Sequence, residues 1–161
     1  PGRFDRLALL GSSPRFVNDP PDYVGGYERG DIEGILDAME RDQIAWSESL
    51  APAALGEESS EDLVHEFGNG LRALDPLIAR AFARTVFLVD CRASLPLVSV
   101  PTLIVQCTQD SIVPREVGAY LHRQLAGSTL RELEASGHCP HLTHPPETIA
   151  LLSHYLESTG A

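Results

Sequence analysis

Val100-Pro-Thr-Leu-Ile-Val-Gln-Cys107, continued by Thr108-Gln-Asp-Ser-Ile-Val-Pro114, carries the strongest structural signal in the chain. In its first part, β-branched and aliphatic residues fill consecutive positions instead of alternating with polar ones. That pattern belongs to a strand buried on both faces, as in a parallel sheet. The second part puts a carboxylate, Asp110, on the loop beyond the strand's carboxyl end, the edge where open α/β sheets hold their ligands. Pro114 starts a helix with Val117, Leu121 and Leu125 on one face, which stops near Gly127. A second strand, Thr129 to Glu134, then leads into Ala-Ser-Gly-His-Cys-Pro-His141. Asp110 and His138 are therefore expected on successive loops at one edge of one sheet.

A carboxylate so placed can accept the Nδ1 proton of the histidine, fix its tautomer and stabilise the imidazolium formed when Nε2 takes a proton from a nucleophile. The competing reading, in which Asp110 merely caps the helix after Pro114, loses ground once His138 is considered with it. A nucleophile is missing. The G-x-S-x-G elbow that presents a serine between strand and helix does not occur, and Gly11-Ser-Ser-Pro-Arg15 lacks the last glycine. His138, Cys139, His141 and His144 match no compact zinc spacing, and no metal or cofactor is expected.

Pro1 to Gly11 reads as a loop entering a strand over Arg6 to Gly11. The chain is expected to be the carboxyl-terminal part of a longer fold, with roughly 100 preceding residues carrying the first strands and the elbow. Ser12 to Pro21 has turn chemistry, and Gly25, Gly26 and Gly30 are expected to keep the next loop pliant. From an N-cap at Asp31, the residues Ile32, Ile35, Leu36, Met39, Gln43, Trp46 and Leu50 recur at three- and four-residue steps, predicting one long helix ended by Pro52 and Gly56. A second helix follows Ser59-Ser60, with Leu63, Val64, Phe67 and Leu71 inward. A third starts at Asp75-Pro76 and presents Ile78, Phe82, Thr85, Val86 and Val89. The connection between the first strand and Val100 spans roughly 80 residues, far more than one crossover helix needs. The surplus is expected to cover the carboxyl edge of the sheet. Residues 1–17 and 98–161 would then form the core and 18–97 a helical cap. A last helix from Pro145-Pro146 is expected to pack Ile149, Leu152 and Leu156 on the sheet.

The formal net charge of −11, with no lysine, argues against nucleic acid and anionic membranes as partners. The acidity is concentrated: Asn18 to Leu97 holds 16 Asp and Glu against 6 Arg, as expected of a solvated layer or an acidic docking face. Cys91, Cys107 and Cys139 have no paired spacing, which favours free thiols and a cytoplasmic setting.

Ser13 to Asp19, Tyr23-Val-Gly-Gly-Tyr27, Ala38-Met-Glu40, Trp46, Ala79-Arg-Ala-Phe82, Pro101 to Cys107 and Gly137 to His141 resemble the α/β-hydrolases related to the bacterial stress regulator RsbQ and the plant strigolactone and karrikin receptors. The likeness covers essentially the whole chain. It implies a cap of four helices over a serine-hydrolase core, with Asp110 as acid and His138 as base. It also implies that Phe16, Ile35, Trp46, Leu50, Phe67 and Val86 line a pocket for a small apolar ester or lactone. Leu50 stands where the plant proteins have phenylalanine. An alternative role follows from the same likeness: a small-molecule sensor that engages a PAS-domain phosphatase, with slow or no turnover.

Overall fold

The computed structural model describes residues 3–158, so Pro1 and Gly2, the start of the predicted entry loop, lie outside the described residues. Three parallel strands pair in the order of the chain: β1 (Leu7–Leu10), β2 (Thr102–Gln109) and β3 (Ser128–Ser136). β2 is buried through six consecutive residues, Thr102 to Cys107, as a central strand covered on both faces must be, and its one amide side chain within that run, Gln106, is satisfied by donating to Val113 O at 3.0 Å. On one face, Ile104 packs with Val113, Val117 and Leu121; on the other, Leu103, Val105 and Cys107 pack with Leu133 and Tyr155. Burying each such aliphatic side chain contributes about 1.5–3 kcal/mol before chain entropy is subtracted.

Between β1 and β2 the chain forms four helices, α1 (Arg29–Arg41), α2 (Gln43–Leu55), α3 (Glu61–Arg72) and α4 (Pro76–Leu88), then a 3₁₀ turn over Arg92–Leu97. The single long helix expected from Asp31 to Leu50 is thus corrected to two. Asp42 makes the break: its backbone is extended, its N–H closes α1 on Ala38 O, and its carboxylate accepts from Ile44 N and Ala45 N, both at 3.0 Å, to start α2. The apolar periodicity runs through the break because Trp46 of α2 packs against the same core as Ile32, Leu36 and Met39 of α1, before α2 buries Ala54 and Leu55 in a second cluster. At the other end, Glu28 rather than Asp31 is the N-cap, and Asp31 sits in the first turn, accepting from Glu28 N–H at 2.8 Å. Pro52 lies inside α2 instead of ending it. The glycine loop expected to be pliant is held, because Asn18 Oδ1 accepts from both Gly25 N and Gly26 N.

Two predicted faces also need correction. On α4, Ala79 and Ala83 are buried, whereas Ile78 and Phe82 are 69% and 70% exposed. Small residues let α4 approach α1 closely, and the large apolar side chains point away. The last helix, α7 (Pro145–Ser158), buries Thr148 and Tyr155 with Leu151 and Leu152 against them, while Ile149 and Leu156 are exposed. Two further helices complete the chain: α5 (Arg115–Gln124) crosses from β2 to β3, and α6 (Pro140–Thr143) follows the loop after β3. Among the described residues, no helix is long and apolar enough to cross a membrane.

Candidate active site

The loops leaving the carboxyl ends of all three strands meet at one point. Gly11 follows β1, Asp110 follows β2, and Gly137-His138 follows β3. The β2–β3 register shifts between Cys107 and Gln109, an irregularity that re-aims the chain just before Asp110. Gly137 N then donates to Gln109 O at 3.0 Å, so the loops bearing the acid and the histidine are tied by backbone.

His138 Nδ1 lies 2.8 Å from Asp110 Oδ2. The Asp110 side chain is fully shielded from solvent, and that of His138 is 25% exposed. The other carboxylate oxygen of Asp110 accepts from Ile112 N at 2.8 Å and Val113 N at 3.0 Å, an Asx turn that leads into α5. The two readings of Asp110 are therefore both satisfied at once, one oxygen serving the turn and the other the histidine. With an ionised carboxylate as acceptor, the Nδ1 of His138 carries the proton and Nε2 keeps its lone pair. Gly11, at φ +53°, lies directly against the ring: a Cβ there would stand 3.0 Å from His138 Nδ1. Only glycine leaves room for the imidazole at that position.

The helical segment is docked onto this site by the end of α2. A helix leaves its last carbonyls without internal donors, and here tertiary partners supply them. Ser111 Oγ donates to Ala53 O at 2.8 Å, His138 N to Ala54 O at 2.7 Å and Ser59 Oγ to Leu55 O at 2.8 Å. On the far side, Asp90 accepts from Arg15 and Arg92, and Arg92 also reaches Asp19, which pins the end of α4 to the loop after β1. The Arg92 hydrogen bond, aided by Arg15, holds the Asp90 carboxyl well below the usual carboxylate range.

Beside the acid–histidine pair lies a cleft of about 800 Å³ between α1, α2 and the loop after β2. Ile35, Trp46 and Leu50, all singled out from the sequence, line it. Phe16, Phe67 and Val86 do not. Phe16 is buried edge-on against Phe87 at 5.1 Å, Phe67 packs over Leu55 and Cys139, and Val86 lies against the main core. The cleft instead gains Tyr27, Phe87, Ser111 and Ile112. Ser111 and Ile112 were within reach of the sequence, as immediate neighbours of Asp110. Tyr27 and Phe87 carried no such flag.

Cys107 and Cys139 are buried next to this site. Burial, then the charge of Asp110, pushes the Cys107 thiol up to about 11 and raises that of Cys139 in the same way. Thiolate is the reactive form, so neither sulfur serves as a nucleophile near neutrality. In the folded protein at pH 7.5, both are expected to resist iodoacetamide and to react once guanidinium unfolds the chain, as followed by peptide mass spectrometry. Labelling of native protein at the unfolded rate would contradict the burial of these thiols. Among the described residues, no three His, Cys, Asp or Glu side chains are grouped to hold a metal ion.

A parallel sheet whose strand-end loops bring together a shielded carboxylate and a histidine is the arrangement expected in the carboxyl-terminal part of an α/β-hydrolase fold. The chain belongs to the α/β-hydrolase family, whose family model matches residues 3–151. It is 41% identical over 158 residues to a strigolactone esterase of Pisum sativum, covering 98% of this chain and 57% of that protein. It is 37% identical to a karrikin insensitive 2 receptor of Petunia hybrida, covering 100% and 60%. Among solved structures, it superposes on a hydrolase from Oleispira antarctica with a TM-score of 0.93 at 37% identity, covering 96% of this chain and 57% of the other. The sequence thus spans somewhat over half the length of the relatives it matches.

Proposed function

We propose that the whole protein is a serine hydrolase that cleaves a small apolar ester or lactone, with residues 29–88 acting as a lid over the reacting groups. The observation that carries this is the 2.8 Å contact between His138 Nδ1 and the fully shielded Asp110, which leaves Nε2 as a base. The nucleophile is a serine in polypeptide outside the 161 residues. Its Oγ attacks the carbonyl carbon as its proton passes to His138 Nε2, and the tetrahedral adduct expels the alkoxide, which takes that proton back. Water, deprotonated by His138, then attacks the acyl-enzyme and releases the acid. Asp110 orients the imidazole and stabilises its charged form throughout. The esterase names among relatives that cover nearly all of this chain support the chemistry.

The test compares p-nitrophenyl acetate hydrolysis by the full-length protein and by residues 1–161 alone, together with labelling by a fluorophosphonate. Full-length protein is expected to turn over and to be labelled on serine. The 161-residue chain is expected to do neither. Absence of serine labelling in a folded full-length protein would reject the proposal.

A second reading is favoured by the receptor among the relatives: the same cleft senses a small ligand, hydrolysis is slow, and the acidic outer face of the lid engages a protein such as a PAS-domain phosphatase. Turnover of a soluble ester many times per second would weigh against it.

A further inference from the structure

We propose that the hydroxyl of Tyr27 selects neutral ligands carrying a hydrogen-bond-accepting oxygen, a ring ether or second carbonyl, besides the apolar body that fills the rest of the cleft. This rests on taking the cleft beside Asp110 as the ligand site. Tyr27 lines that cleft, whose walls are otherwise mainly apolar, with Ile35, Trp46, Leu50, Phe87 and Ile112. Its ring is fixed against Phe16, with centroids 6.3 Å apart. Its backbone is tied on both sides, with Tyr27 N donating to Phe16 O and Tyr27 O accepting from Asn18 N. The hydroxyl itself has no hydrogen-bond partner among the described residues, although the side chain is half-buried.

Apart from the Trp46 indole N–H, which likewise has no hydrogen-bond partner among the described residues, the other polar side chains of the cleft are already engaged or face water. Asp31 accepts from Glu28 N–H, the Ser111 hydroxyl is committed to Ala53 O, and Ser49 is exposed. Burial raises the pKa of the phenol, and the charges of Asp110 and Asp31 raise it further, so Tyr27 is a donor at neutral pH. Those two charges repel an anion. A ligand that drives water from the cleft must either accept from this hydroxyl or leave it desolvated and unpaired, which is unfavourable by about 1–3 kcal/mol. A buried polar group of this kind discriminates against analogues that lack its partner more sharply than an apolar wall discriminates by shape.

Two neutral esters of nearly equal shape provide the probe: methyl tetrahydropyran-4-carboxylate, with a ring oxygen, and methyl cyclohexanecarboxylate, with a methylene in its place. Their dissociation constants are measured on the full-length protein in a His138→Ala background, which keeps the esters intact, with and without Tyr27→Phe. The phenylalanine variant is expected to weaken the ring-oxygen ester at least about fivefold more than the carbocyclic one. Equal effects on the two esters, or no binding of either, would overturn the inference. The free acid of the ring-oxygen compound is expected to bind more weakly than its methyl ester, and tighter binding of the acid would overturn the preference for neutral ligands. If the differential effect appears while the His138-containing protein turns over no ester at all, the selectivity stands and the hydrolase proposal falls.

Discussion

Asp110→Asn in the full-length protein is expected to lower kcat for p-nitrophenyl acetate by about 10³–10⁴ while the protein stays folded. The geometry explains why so small a change has so large an effect. Ile112 N and Val113 N both point at one oxygen of Asp110 and hold an acceptor there. An asparagine must therefore leave its carbonyl oxygen in the turn and turn its NH₂ toward His138. The amide is a donor, so His138 Nδ1 has to become the acceptor and the ring proton moves to Nε2. The base is then blocked by its own proton. Circular dichroism and the melting temperature should change little, because the turn keeps its acceptor. A kcat within tenfold of the unaltered protein would show that Asp110 serves only the turn before α5.

The largest loss of stability is expected at Gly137. Its φ is +91°, and a Cβ built there would collide with the carbonyl of Leu55 and stand 2.9 Å from Gly56 N. Both obstacles are backbone, so neither can swing aside as a flexible side chain would. The left-handed conformation alone is unfavourable for alanine by about 1–2 kcal/mol. Relieving the collision would also stretch the bonds from His138 N to Ala54 O and from Gly137 N to Gln109 O, each worth about 0.5–1.5 kcal/mol. Gly137→Ala is therefore expected to destabilise by about 3 kcal/mol or more, lowering Tm by about 6–12 °C, in calorimetry of the full-length protein. Gly70→Ala is the control. Gly70 lies within α3 with nothing within 4 Å of the added methyl, so the protein should be unchanged or stabilised by up to about 1 kcal/mol. Equal melting temperatures for Gly137→Ala and the unaltered protein would refute this account of the α2 contact.

The elements that define the fold were legible where one physical cause acts alone. The run from Thr102 to Cys107 carries three aliphatic residues in succession, Leu103 to Val105, a pattern suited to burial on both faces. Asp110 and His138 were legible for a related reason, since each follows a strand directly and the sheet leaves the ends of neighbouring parallel strands on one edge. The faces of α4 and α7 were not. Periodicity tells which residues share a face, but not which face has a neighbour: Ala79 and Ala83 are inconspicuous in sequence, yet they occupy the contact because helices approach most closely over small side chains. The division between α1 and α2 was hidden because Asp42 interrupts the backbone without interrupting the apolar rhythm. Tyr27 stood in the sequence only as the end of the Tyr23–Tyr27 motif, and its place in the wall of the cleft becomes visible only when the surrounding elements are assembled.

The docking of α2 ties the helical segment to the site. Three carbonyls in a row, from Ala53 to Leu55, are held by donors, two of them on the loops of Asp110 and His138. The end of α2 and the loops that carry Asp110 and His138 are thus fastened to one another, so a substitution that displaces residues 53–55 also bears on the proton-transfer pair.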